Sequence, residues 1–321
     1  MSLENSKQRY VMARKLAEKI TRYSMNNGGK QILEGFEDFL QFSIYAWLSE
    51  RKSWKEVHFE RTQKELIELK EILTEYSNDM HILLQDNSWC DLIGYTYESF
   101  AADGGQRKAF NQFFTPEHVC TLMAESVCGK FNLETCNKLL KGSYTTLDPT
   151  SGSGRLLLAH HSYIIKTYNG IGVPYLLAED LSRTATLMTT LNFLVHGCVG
   201  EVINHDTLTE PDTMRFGFFV NRHMYEKEHE LFRLPHVEII TDYSETKFYK
   251  VWKSQREEYK NKQVENISSS KLQKILEAKE NAEILQEAIE IKDEMQEDNI
   301  STSQELLQPK KKIERIQLEL F

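Results

Sequence analysis

Between about residues 109 and 242 the chain alternates short runs of β-forming apolar residues with longer amphipathic stretches. One junction in this series is a glycine-rich turn, Asp148-Pro149-Thr150-Ser151-Gly152-Ser153-Gly154. Runs of this length, with helical periodicity between them, predict a parallel α/β sheet, because parallel neighbours need a helical crossover. The candidate strands are Thr145–Leu147, Tyr175–Ala178, Val199–Ile203, Arg215–Val220 and Val237–Thr241, with helices over Leu156–Tyr168 and Arg183–His196.

The flanks read differently. Residues 1–108 carry Phe36, Phe39, Leu40, Phe42, Ile44 and Trp47 at helical spacing, which predicts a helical region whose aromatic stripe is core. Asn27-Gly28-Gly29 breaks its first helix, and a second helical stretch is expected from about Trp54 to Leu84. Residues 243–321 are highly charged, and Ile275, Ala278, Ala282, Leu285 and Ile289 form a helical seam of only about two heptads. The expected organisation is thus a helical region 1–108, an α/β domain 109–242 and a charged helical tail 243–321.

A chain of 321 residues, 40% hydrophobic, can bury a sizeable core. No apolar run approaches a membrane span, and the polar N-terminus does not read as a signal peptide, so the expected compartment is the cytoplasm. Cys90, Cys120, Cys128, Cys136 and Cys198 include no C-x-x-C pair, which argues against a disulfide framework or a metal cage. A formal charge of −9 argues against holding nucleic acid through the overall field of the protein.

The glycine turn follows a strand and opens a helix, where glycines let the backbone bend sharply and approach a ligand. Asp180 ends the next strand about 30 residues on, where a carboxylate can accept the two hydroxyls of a ribose. Asp206, in Asn204-His205-Asp206-Thr207-Leu208, ends the third strand. Upstream stands Asn111-Gln112-Phe113-Phe114-Thr115-Pro116, with Pro116 expected in the first turn of a helix.

In this order, over roughly residues 106–221, these segments resemble the cofactor half of the adenine N-6 DNA methyltransferases, closest to the modification subunits of type I restriction systems. The resemblance implies an S-adenosylmethionine-dependent methyltransferase-like fold, here with fewer strands than the family's sheet. It implies S-adenosylmethionine as cofactor, held by Gln112, Phe114, Thr115, Pro116, Asp148, Ser151, Gly152, Ser153, Gly154, Asp180 and Asp206. Thr115 would hold the amino-acid part, the glycine turn would face the methionine end and Asp206 would meet the adenine; His205 stands where the family has glycine. The implied partners are DNA and a separate specificity subunit, with no metal.

Adenine's exocyclic amine is a poor nucleophile, which the family answers with an Asn-Pro-Pro-aromatic tetrad after the fourth strand, accepting both N–H bonds and stacking on a flipped base. No Pro-Pro occurs in this chain. Aligned with the tetrad is Asn221-Arg222-His223-Met224, whose Asn221 is the candidate catalytic residue. Three readings stand: a degenerate tetrad, a working variant that uses Asn221 and Tyr225, or a coincidental asparagine with the fourth strand misplaced. Function divides accordingly between a DNA adenine methyltransferase and a catalytically inactive homologue serving as a DNA-processing accessory or partner-binding protein. The final residues, Gln317, Leu318, Leu320 and Phe321, resemble a short motif by which bacterial proteins dock on the DNA sliding clamp; the alternative is a terminal helix packing on its own domain.

Overall fold

The computed structural model describes residues 3–48, 59–86, 88–102, 114–207, 213–222, 235–251, 253–254 and 256–258. The chain divides into two compact units, Met1–Lys253 and Ser254–Phe321. The described residues of the second unit, 254 and 256–258, are helical. The expected seam at 275–289 and the docking motif at 317–321 lie outside the described residues.

The first unit opens with α1 (Leu3–Asn26), α2 (Ile32–Tyr45), α3 (Gln63–Asp86) and α4 (Leu92–Ala102). Gly28 and Gly29 end α1 in left-handed conformations, and Lys30 N–H reaches back to the Ser24 carbonyl. The helix expected from Trp54 begins instead at Gln63. Thr62 and Glu65 form a reciprocal capping box, in which Thr62 N–H donates to Glu65 Oε2 at 2.7 Å and Glu65 N–H to Thr62 Oγ1 at 3.3 Å. The aromatic stripe is core, with Phe36, Phe39 and Leu40 fully buried.

Next come α5 (Glu117–Cys128), α6 (Leu133–Leu140), β1 (Thr145–Asp148), α7 (Arg155–Thr167), β2 (Tyr175–Asp180), α8 (Arg183–Val195), β3 (Val199–Asn204), β4 (Phe216–Val220) and β5 (Val237–Ile239). The chain is α/β, as its sequence predicts, and the five strands form one sheet in the order β1-β2-β3-β4-β5. Along β2 and β3, alternate residues feed two cores. Leu176, Ala178 and Val202 pack with α8 and the N-terminal helices. Tyr175, Leu177, Val199 and Ile203 pack with Phe219, Ile240 and Phe248. The first core runs continuously from Ala13 on α1 to Val237 on β5.

The expectation of an all-parallel sheet fails at its far side. β1, β2 and β3 are parallel, whereas β4 runs antiparallel to β3 and β5 antiparallel to β4. The reason is chain length: residues 205–215, roughly eleven, are too few for a parallel crossover, which needs a dozen or more. All five cysteines are free, and among the described residues no helix is long and apolar enough to cross a membrane.

Candidate functional site

At the carboxyl ends of β1, β2 and β3 lies a cavity of about 630 Å³. Pro149, Thr150, Ser151 and Gly152 line it after β1, Asp180 and Leu181 after β2, and His205, Asp206 and Thr207 after β3. Phe114, Thr115, Arg155 and Leu156 form its wall on the β1 side. Three adjacent strand ends span about 10 Å, so the cavity suits an elongated ligand laid across them.

The turn after β1 is held by its neighbours. Ser151 N–H donates to the Glu179 carbonyl at 2.8 Å, Gly154 N–H to the Ser151 carbonyl at 2.7 Å, and Thr189 Oγ1 to the Gly152 carbonyl at 2.9 Å. Gly152 has φ +58, and a Cβ there would meet the Phe114 ring at 3.0 Å. This position leaves a cradle that any side chain would fill.

Asp180 Oδ2 accepts from Gly152 N–H at 2.9 Å and Oδ1 from Ser182 N–H at 2.8 Å. Burial raises its pKa, opposed by those two backbone donors. Each oxygen keeps a lone pair for a ligand hydroxyl. Ser182, not Asp180, caps α8, accepting from Ala185 N–H. Asp148 stands behind the turn rather than on the cavity wall, with Oδ1 accepting from Thr150 N–H at 3.0 Å. Its Oδ2 is buried without a partner, and burial, aided by the nearby Asp180, raises its pKa.

Of the residues the resemblance implies for the cofactor, the cavity thus gathers Phe114, Thr115, Ser151, Gly152, Asp180 and Asp206. Ser153 is fully buried and donates to Asp91, Gly154 caps α7, and Pro116 stands at the N-cap of α5, one residue before its first turn. None of these three lines the cavity. Gln112 lies outside the described residues.

Sequence reasoning missed two groups. Glu179 and His205, both fully buried, touch through Oε1 and Nε2 beneath the β3 end of the cavity. His205 Nδ1 faces the Thr213 carbonyl at 3.2 Å and therefore carries the ring proton. Burial lowers the His205 pKa, which leaves Nε2 bare, and burial pushes Glu179 up to about 8, so below that pH the Glu179 carboxyl keeps its proton. The folded protein thus keeps a proton on Glu179 that the unfolded chain releases, and stability falls as pH rises from about 4.5 to about 8. Below about pH 6.5 His205 works in the opposite direction, because there the unfolded chain takes up the proton. Between about pH 6.5 and 8 Glu179 acts unopposed, and Glu179→Gln should gain about 1–2 kcal/mol over the native chain across that interval. Denaturant titrations at the two pH values check this; an unchanged stability difference would refute the protonated Glu179 carboxyl.

The second group is Asp91 with Arg155. Asp91 immediately precedes α4 and is fully buried; Arg155 opens α7 and is nearly so. The sequence signal was present in the position of Asp91 just before a helix, but that position reads as an ordinary cap.

Asn221 is not brought to the cavity. Because β4 is antiparallel, its carboxyl end lies beside the start of β3, with Val220 opposite Gly200, roughly 20 Å from the cavity end of the sheet. There Asn221, at φ +51 and fully buried, donates from Nδ2 to the Cys198 carbonyl at 2.9 Å and accepts at Oδ1 from His236 N–H at 3.0 Å. Both ends of its amide are committed to backbone. Arg222 lies over the Phe219 ring, while His223, Met224 and Tyr225 lie outside the described residues. Among the described residues no group of three or more His, Cys, Asp or Glu could hold a metal ion.

No curated protein matches the chain. A type I restriction-modification system methyltransferase subunit from Streptococcus thermophilus is similar at 13% identity and a TM-score of 0.23, over 64% of this chain and 59% of that one. This chain therefore spans about 59% of that subunit's length, and a likeness at this score carries no weight. The family model of the N-6 DNA methylases matches residues 88–231, a segment that holds the glycine turn, Asp180, Asp206 and the Asp91–Arg155 pair. Over residues 88–231 the chain is similar to the N-6 DNA methylase family.

Proposed function

We propose that the chain binds S-adenosylmethionine across the carboxyl ends of β1–β3, with the ribose at Asp180, the adenine toward Asp206 and the amino-acid end against Phe114, Thr115 and the glycine turn. The observation that carries this reading is the joint placement of Gly152, Asp180 and Asp206 on one cavity of about 630 Å³. The bare Cα of Gly152 and the spare lone pairs of Asp180 fit a nucleoside with a tail. Bound there, the cofactor supplies a methyl group activated by a sulfonium.

The acceptor of the ancestral reaction is adenine N6 in DNA. With a net charge of −9, the chain would leave sequence reading and much of the DNA grip to a separate recognition subunit. The commitment of Asn221 to Cys198 and His236 favours the second reading of function, in which this chain holds cofactor but does not by itself methylate adenine. Its role is then that of an accessory or partner-binding protein in DNA processing.

Calorimetry with S-adenosylhomocysteine on the full chain tests the cofactor; no binding up to millimolar ligand would sink it. Labelled methyl transfer to DNA tests the acceptor. The chain alone should leave DNA unlabelled, and labelling abolished by Asn221→Ala at unchanged cofactor affinity would restore the enzyme reading.

A further inference from the structure

Arg155 is 4% exposed, yet its guanidinium serves more than the ion pair that compensates its charge. Nε donates to Asp91 Oδ2 at 2.7 Å, while Nη1 donates at 3.2 Å both to Glu98 Oε1 and to the Thr115 carbonyl. The Arg155 guanidinium carbon lies 4.5 Å from the Tyr95 ring centroid and 5.3 Å from that of Phe114. Asp91 is in turn saturated, accepting also from Ser153 Oγ at 2.5 Å, Gly94 N–H at 2.8 Å and Asn192 Nδ2 at 2.7 Å. A buried carboxylate with four donors is compensated, whereas the guanidinium against it keeps one buried nitrogen, Nη2, without a hydrogen-bond partner.

The destinations of these bonds matter more than their number. Phe114 and Thr115 stand with Arg155 itself in the wall of the cavity on the β1 side, and Ser153 belongs to the turn that floors it. Asp180 and Asp206, at the middle and far end, receive no bond from Arg155 or Asp91. α4 therefore fixes one end of the cavity through this pair and leaves the other to the strand ends.

We propose that Arg155, held by Asp91, is a positioning residue that sets the affinity for the amino-acid end of the nucleoside ligand, without touching the ligand's base. This rests on the S-adenosylmethionine reading above. S-Adenosylhomocysteine reaches the Phe114–Thr115 wall, whereas 5′-methylthioadenosine, which lacks the amino-acid tail, stops short of it. Arg155→Lys keeps a positive charge opposite Asp91 but loses the planar fork that bonds Asp91, Glu98 and the Thr115 carbonyl at once.

The test is calorimetric affinity of the full chain for both ligands, in the native protein, in Arg155→Lys and in Asn221→Ala as a control that destabilises a remote part of the sheet. Arg155→Lys should weaken S-adenosylhomocysteine about tenfold or more and 5′-methylthioadenosine less than about twofold, and the control should leave the ratio unchanged. A parallel loss of both ligands, or a loss of neither, overturns the positioning role while the cofactor reading stands. If the native chain binds neither ligand, the cofactor reading itself fails and this assignment fails with it. Should Arg155→Lys not fold, Tyr95→Leu removes a ring that lies over the guanidinium without lining the cavity and leaves the ion pairs in place. It must show the same selective loss, and equal affinities for native and variant would overturn the proposal.

Discussion

Asp180→Ala should lower the affinity for S-adenosylhomocysteine by about 100-fold or more while the chain stays folded. A carboxylate accepting two ribose hydroxyls makes two charge-assisted bonds of about 1.5–3 kcal/mol each, of which alanine makes none. Alanine also releases the backbone N–H groups of Gly152 and Ser182, so the turn that cradles the ligand loses its anchor on β2. The cost to stability should be small by comparison, because Gly152 lines the cavity and Ser182 is only half-buried, so water can reach both freed donors. Asp180→Asn should fall between the two, since its carbonyl oxygen can serve only one of these partners well. Titration calorimetry with thermal melts checks both quantities; an affinity within threefold of the native chain would remove Asp180 from the site.

Asn221→Ala should do the reverse, costing about 2–4 kcal/mol of stability and leaving ligand affinity within twofold. The variant strands the buried Cys198 carbonyl and the His236 N–H, at about 1 kcal/mol or more apiece. It also puts alanine at φ +51, a conformation asparagine tolerates better. Asn221→Gly should recover the backbone part of the loss but not the part owed to the two side-chain bonds. Denaturant melts beside calorimetry separate these contributions. Lost cofactor binding at native-like stability would place Asn221 in the site after all.

Much of the fold was legible in the residues. The strands at 145, 175, 199, 216 and 237 begin within a residue of where they are expected, most plainly β2 and β3, because a strand buried on both faces must be largely apolar along its length, whereas β1 is mostly exposed. The glycine turn, Asp180 and Asp206 were legible as a site because each ends one of three successive parallel strands, and parallel strands put their carboxyl ends side by side. Glu179 was passed over because a buried acid and a lining acid differ only by strand alternation, and His205 because it read only as a replaced glycine.

The direction of β4 was not legible from periodicity, since apolar alternation is the same whichever way a strand runs. Its signal was the short connection at 205–215, and that one reversal carries Asn221 to the opposite end of the sheet. Nor could periodicity show that Asp91 reaches across the core to Ser153, Arg155 and Asn192, more than sixty residues away in sequence. Sequence by itself therefore determined the α/β class, the strand runs and the chain order of the cofactor segments, all properties of local pattern. Only the tertiary structure decided which end of the sheet each candidate occupies and which buried charges brace the cavity, because strand direction and long-range pairing are settled by packing between segments that share no local signal.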